Sequence, residues 1–212
     1  MLIGERMSHP VIHISPDTPV QEAIQIMKRE NIRRMPILDK GKLVGIVSET
    51  DLLNATPSKA TSLSVWELNY LLSKLQVKEV MTKDVITVTE DTPIEEAARI
   101  MADNKIGGLP VMSNGAVSGI ITETDLFKVL LELMGAREQG VRITAFLEDK
   151  PGELAKLATA ISKEGGNIVA MGEFAGEDTS TREIVLKISG MDKKKVEEIV
   201  KPNVKDLRDL RT

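Results

Sequence analysis

A chain of 212 residues that is 42% hydrophobic and 28% charged has material for one large domain or two modest ones. Aromatics are only 2%, cysteine is absent and the formal net charge is -4. This balance argues against base stacking or counterion-releasing contact with nucleic acid, and against disulfides, thiolate metal sites and a cysteine nucleophile. No run of about 18 apolar residues occurs and Met1-Leu2-Ile3-Gly4-Glu5-Arg6 lacks a signal-peptide core, so the expectation is a cytoplasmic protein without a membrane span.

Val11 to Ile14 reads as a short extended stretch, closed by Ser15-Pro16-Asp17-Thr18-Pro19. Asp17 or Thr18 is expected to cap the next helix, with Pro19 in its first turn. Val20, Ala23, Ile24 and Met27 give that helix one apolar face, and Glu30-Asn31 ends it. Met35 to Leu38 and Leu43 to Val47 read as strands of a hairpin about Lys40-Gly41-Lys42. Gly45-Ile46-Val47-Ser48-Glu49-Thr50-Asp51-Leu52 is then a buried strand running into a helix, with Ser48 at the turn. Residues 54–61 form a loop. The helical pattern over 62–75, carrying Trp66 and Tyr70, reads either as a linker helix burying its apolar side or as a dimer contact.

From Met81 the layout recurs at a constant offset of 74 residues, which carries Met7 onto Met81, Pro19 onto Pro93 and Gly45 onto Gly119. Residues 7–53 and 81–127 share about 19 of 47 positions, so the segment is duplicated. Asp91-Thr92-Pro93 opens the second helix, Asn114-Gly115 makes the second hairpin turn, and Gly119-Ile120-Ile121-Thr122-Glu123-Thr124-Asp125-Leu126 repeats the octapeptide. A helix over 126–134 finishes this copy, and Gly135 with Gly140 bracket a charged connector. The remainder is no third copy. It reads strand (142–147), helix (Leu154, Leu157, Ala158 and Ile161 on one face), strands (168–171 and 183–188), helix (191–200) and strand (203–210), which is βαββαβ.

Each copy runs Met-Ser/Thr, Val-Ile before Asp-Thr-Pro, Glu-Ala and Ile-Met on a helix, a Pro-Ile/Val strand, and then Gly-Ile-Ile/Val-Ser/Thr-Glu-Thr-Asp-Leu. That order resembles the CBS domain family over both copies whole. The resemblance implies a tandem CBS pair, or Bateman module, binding adenosine-type nucleotides in clefts between the repeats. The last 70 or so residues resemble the ACT domain family, through Asp149-Lys150-Pro151-Gly152-Glu153-Leu154 and Gly165-Gly166-Asn167-Ile168. The expected fold class is α+β / α/β: tandem CBS repeats followed by a ferredoxin-like βαββαβ ACT domain. The expected layout is repeat one at 1–61, a linker helix at 62–80, repeat two at 81–135, a linker at 136–140 and the ACT-like domain at 141–212.

The octapeptide is where chemistry is expected. A fixed carboxylate can accept hydrogen bonds from both hydroxyls of a ribose, and backbone N–H groups at a helix start favour phosphate. The same residue types also simply cap helices, and both readings stand for Ser48, Thr50, Asp51, Thr122, Thr124 and Asp125. By the resemblance, the carboxylates hold the ribose, the hydroxyls face the phosphate, and Ile12, Ile86, Met35, Pro36, Leu109 and Pro110 sandwich the base. Arg33-Arg34 in the first copy is replaced by Gly107-Gly108 in the second, so a phosphate tail is expected to be drawn to the arginines, unless they are only a solvated basic pair. In the third domain Asp149, Gly152, Asn167 and Ile168 are expected either to receive an amino acid between paired subunits or only to support dimerisation.

His9 and His13 lack a partner motif and are expected at the surface, and no GxSxG, P-loop or dinucleotide fingerprint occurs. The expectation is a non-catalytic regulatory protein and homodimer, with no metal and no obligatory cofactor, responding to AMP, ADP, ATP or S-adenosylmethionine and acting on an unidentified protein. The alternative is a ligand-free assembly scaffold. CBS-CBS-ACT order without an attached enzyme resembles the acetoin-utilisation B-type proteins, which implies a link to carbon metabolism by architectural analogy.

Overall fold

The computed structural model describes residues 1–55, 67 and 74–212, which fall into two compact units, Met1–Leu126 and Phe127–Thr212. The helical pattern carrying Trp66 and Tyr70 lies largely outside the described residues. In the first unit α1 (Val20–Glu30) leads to a hairpin of β1 (Arg34–Asp39) and β2 (Lys42–Ser48), followed by α2 (Glu49–Asn54). After a two-residue strand, β3 (Val88–Thr89), the same series recurs as α3 (Ile94–Asn104), β4 (Gly108–Ser113), β5 (Ala116–Thr122) and α4 (Glu123–Leu133).

The duplication is reproduced in backbone detail. Helix α1 buries Val20, Ala23 and Met27, and α3 buries the equivalent Ile94, Ala97 and Met101. Both helices end on a left-handed residue, Asn31 and Lys105. Each hairpin turns through two residues of positive φ, Lys40-Gly41 and Asn114-Gly115, the geometry of a two-residue I′ turn. Registers match too: Arg34 pairs with Ser48 as Gly108 pairs with Thr122. At the helix starts the expectation is corrected. Pro19 and Pro93 are themselves the N-cap residues, with no side-chain cap, so neither Asp17 nor Thr18 performs that role.

The repeats trade their leading segments. Ile3, from the start of the chain, is fully buried with Val88, Ala97, Leu109 and Ile121 of the second repeat. Its N–H donates to the Thr92 carbonyl at 3.0 Å. Conversely, Val77, just ahead of the second repeat, is buried with Val20, Met27, Met35 and Leu52 of the first, and its N–H donates to the Thr18 carbonyl at 2.9 Å. The exchange continues into two backbone bridges, Ser8 with Ile120 and Thr82 with Ile46. It also explains a glycine in each octapeptide: a Cβ on Gly45 would lie 2.5 Å from Met81 Sδ, and one on Gly119 would lie 2.5 Å from Met7 Sδ. The cores therefore do not follow the expected 1–61 and 81–135 boundaries, because each is completed from the other side.

In the second unit, the later turns of α4 are followed by β6 (Val141–Glu148), α5 (Glu153–Lys163), β7 (Asn167–Ala175), β8 (Thr181–Ser189), α6 (Lys193–Val200) and β9 (Asp206–Arg211). The sheet order is β7-β8-β6-β9, with neighbouring strands antiparallel. Alternate residues of β6 and β8, Val141, Ile143, Ala145, Ile184, Leu186 and Ile188, form the core with Leu157 and Ile161 of α5 and Val196 and Val200 of α6. The division between the units falls within α4, ahead of the expected 136–140 connector. Gly135 at the end of that helical segment is tied to this sheet, its carbonyl accepting from Lys187 Nζ at 3.0 Å.

We predict that Ile3→Ala lowers stability in urea by about 2–5 kcal/mol, as loss of a fully buried aliphatic side chain does. Leu2→Ala, whose side chain is half-exposed, should cost no more than about 0.5 kcal/mol. Equally small losses for both would show that the leader is not docked.

Candidate functional site

A cleft of about 270 Å³ opens between the repeats. Arg34, Ile46, Ser48 and Asp51 come from the first repeat, Thr82, Asp84, Val85 and Ile86 from the exchanged leader and the extended stretch after it, and Lys105, Ile106, Gly107 and Gly108 from the second repeat between α3 and β4. Strand periodicity explains part of the lining. Ile46 and Ser48 lie two apart on β2 and so share a face, and Arg34 pairs with Ser48 across the hairpin.

Ser48 and Asp51 form a capping box at the start of α2. Asp51 Oδ2 accepts from the Ser48 N–H at 2.8 Å and from the Ser48 hydroxyl at 2.6 Å, while Ser48 Oγ accepts from the Asp51 N–H at 3.2 Å. Both contacts to the carboxylate fall on Oδ2; among the described residues none reaches Oδ1. The Ser48 hydroxyl is thus committed to its own helix. The second repeat copies the arrangement, with Asp125 Oδ2 accepting from the Thr122 N–H at 3.1 Å and the Thr122 hydroxyl at 2.8 Å. Yet Asp51 is partly exposed on its cleft, whereas Asp125 is only 5% exposed.

The arginines reach across to the other repeat. Arg34 Nη2 stands 3.7 Å from Glu123 Oε2, with its guanidinium over Gly107, where an added Cβ would lie 2.6 Å from Arg34 Cζ. Arg33 Nη2 donates to Thr124 Oγ1 at 3.3 Å. The glycines of the second copy therefore make room for an arginine of the first.

Of the residues expected at this site, the structure brings Arg34, Ser48, Asp51 and Ile86 together in the cleft. Ile12, 36% exposed, occupies the position equivalent to Ile86, which is 39% exposed. Thr50 and Thr124 are exposed one residue before their carboxylates. Met35 and Leu109 correct the expectation: both are 0% exposed and belong to the two cores, so neither can stack on a base. Alternation decides this, since Met35 must face away from Arg34, its neighbour on β1, and Leu109 away from Gly108. Pro36 and Pro110 are buried within their hairpins and do not line the cleft. Asp84 and Lys105 were not singled out from sequence, although Lys105 stands two residues ahead of the Gly107-Gly108 pair and Asp84 two ahead of Ile86. His9 and His13 are exposed.

In the second unit the expected amino-acid site is not assembled within one chain. Glu148, the last residue of β6, pairs with Thr181, while Asn167, the first of β7, pairs with Ser189 at the far end of β8. A strand-helix-strand crossover returns the chain to the end where it began, so Asp149 and Gly152 are separated from Asn167 by a strand length, roughly 25 Å. Asp149 Oδ2 accepts from Arg182 Nε at 3.1 Å, and neighbouring Lys150 holds the Glu148 carboxyl below the usual carboxylate range by a hydrogen bond. Gly152 has a φ of 93° with open space beside it. Ile168 packs against the core, which corrects its expected place at a ligand site.

Two duplicated α+β halves with a shared cleft, followed by a βαββαβ sheet, define a tandem regulatory module joined to a ferredoxin-like domain. The CBS domain model matches residues 3–58 and 77–132, and the TTHA0829-like ACT domain model matches residues 139–211. The chain belongs to the CBS domain family and carries two CBS domains followed by an ACT domain. Protein MJ1225 of Methanocaldococcus jannaschii is 32% identical over 135 residues, a match covering 60% of this chain and 46% of MJ1225, so the chain spans about half the length of that relative. Among solved structures, the CBS domain pair of protein MJ0100, in complex with 5-methylthioadenosine and S-adenosyl-L-methionine, is 30% identical with a TM-score of 0.52 over 65% of this chain and 98% of that one. An AcuB-like acetoin-utilization protein from Vibrio cholerae is 30% identical with a TM-score of 0.53 over 65% of this chain and 96% of that one.

We predict that Ser48→Ala, measured by urea unfolding without added ligand, costs about 0.5–2 kcal/mol through loss of the capping box. Thr50→Ala should change stability by no more than about 0.5 kcal/mol. A neutral Ser48→Ala would mean that the box contributes nothing to folding.

Proposed function

We propose that this protein is a non-catalytic regulatory sensor whose Asp51 cleft takes an adenine nucleoside or nucleotide, such as AMP, ADP, ATP or S-adenosylmethionine. The observation that carries the reading is the mixed lining of the cleft: Asp51 and Asp84, Arg34 and Lys105, and apolar Ile46, Val85, Ile86 and Ile106. A nucleotide needs these three kinds of surface. Ile86 and its apolar neighbours suit the base, the Asp51 carboxylate suits the sugar hydroxyls through Oδ1, and the two cations suit phosphate. The similarity to the CBS pair of MJ0100, solved with two adenosine compounds, supports the same ligand class.

The ACT domain, in this reading, binds an amino acid or holds a homodimer, with Asp149 and Gly152 of one copy meeting Asn167 of another. A link to acetoin or carbon metabolism rests on the domain order and on the similarity to the Vibrio cholerae protein. One observation favours the scaffold alternative: the Ser48–Asp51 pair is already satisfied as a helix cap.

Calorimetry and thermal shift separate the two. A ligand at 100 times its dissociation constant should add about 2.7 kcal/mol of stability. Asp51→Ala should weaken every adenosine ligand by roughly ten- to a hundredfold, the value of one charge-assisted hydrogen bond. Arg34→Ala should weaken AMP and ATP more than adenosine or 5-methylthioadenosine; equal loss would remove Arg34 from the phosphate role. No response to any of these compounds would leave the scaffold.

A further inference from the structure

We infer that Glu123 governs how far the Asp51 cleft favours phosphorylated over unphosphorylated adenosine compounds, because its carboxylate competes with a ligand phosphate for Arg34. This rests on the adenosine reading of the cleft and adds to it a residue outside the lining. The charged side chains of the lining are the carboxylates of Asp51 and Asp84 and the cations of Arg34 and Lys105. Glu123 brings a further carboxylate to the edge of this set, against its arginine.

The backbone brings the parts together. Arg34 leaves β1 of the first repeat and crosses the glycine pair of the second: a Cβ on Gly108 would lie 3.2 Å from Arg34 Cδ, and one on Gly107 would lie 2.6 Å from Arg34 Cζ and 2.5 Å from Glu123 Oε2. Guanidinium and carboxylate thus share the space that a side chain at position 107 would fill. Glu123 is fixed beside that space as the first residue of α4, its N–H donating to the Gly107 carbonyl at 3.2 Å. The contact itself is loose. Arg34 Nη2 and Glu123 Oε2 stand 3.7 Å apart, beyond hydrogen-bond length, and the Glu123 side chain is 51% exposed. An exposed pair of this kind is weak, whereas a phosphate can take two charge-assisted hydrogen bonds from one guanidinium. Phosphate therefore wins the arginine, but against an opposition that an unphosphorylated ligand never meets.

The duplication supplies an internal control. At the 74-residue offset Glu49 is the counterpart of Glu123, while the counterpart of Arg34 is Gly108, so Glu49 holds the same place at its helix start without the equivalent arginine. Isothermal titration of the full chain with AMP, adenosine and 5-methylthioadenosine tests the inference. Glu123→Gln should tighten AMP by roughly three- to tenfold, the scale of one weak ion pair and one nearby like charge removed, and leave the two unphosphorylated compounds within about twofold. Glu49→Gln removes the same charge and should leave all three within about twofold. In an Arg34→Ala background the gain from Glu123→Gln should shrink to about twofold or less, since the competition needs the arginine. Glu123→Ala is the second variant should Glu123→Gln fold poorly. An unchanged ratio of AMP to adenosine affinity in both Glu123 variants would overturn the inference while keeping the adenosine reading. So would a full gain that persists without Arg34, or the same gain from Glu49→Gln, since Glu123 would then act only as a surface charge. No heat from any compound in wild type or variants would overturn the adenosine reading and this inference with it.

Discussion

The exchange of leading segments between the repeats is the constraint on which the first unit depends. Neither core is complete alone, because Ile3 belongs to the second and Val77 to the first. Removing either would open a hole in a fully buried cluster, and an apolar void of that kind is among the costlier defects a core can carry. The bridges of Ser8 to Ile120 and Thr82 to Ile46 then set the register in which each leader runs along the opposite hairpin. Gly45 and Gly119 are glycines because Met81 and Met7 lie against them. The cleft follows from the same exchange: Thr82 sits beside the Ser48–Asp51 junction because its leader is bonded to Ile46, two residues ahead of Ser48 on β2.

A duplicated chain invites a symmetric result, and the cost of like charges works against it. Residues 33–34 and 107–108 approach each other across the repeats, as the Arg34 contact with Gly107 and Glu123 shows. Arginines at all four positions would bring several guanidiniums into one small space. Glycine in one copy removes both the volume and the charge, and lets Arg34 lie where a side chain would otherwise stand. The asymmetry is thus a packing solution first. Its consequence for the cleft is that Arg34 of the first repeat lines it together with Gly107 and Gly108 of the second.

Much of this was legible in the sequence, and the reasons for the rest are physical. Hairpin turns and the elements of the βαββαβ order are local patterns, the repeat is read by direct comparison at a fixed offset, and the structure keeps all three. Met35 and Leu109 were placed on the wrong surface although period-two alternation from Arg34 and Gly108 was enough to turn them inward. The exchange had no such signal. Met1 to Ser8 is too short for periodicity, and its partner strand lies more than a hundred residues away in sequence, at Ile120. Asp84 and Lys105 belong to the cleft only because that exchange brings the second repeat's first residues beside the first repeat's carboxylate.

The two units meet one topological problem in different ways. Within the first unit, residues from opposite halves converge because the duplicated copy is covalently attached, so the composite cleft forms at any protein concentration. In the second unit the crossover through α5 sends Asn167 to the opposite end of the sheet from Asp149, and nothing within the fold can return it. A site using both residues needs another copy of the chain and depends on protomer concentration by mass action. The lining of the Asp51 cleft is therefore complete within a single chain. Any response that uses both ends of the ACT sheet is a property of the assembly.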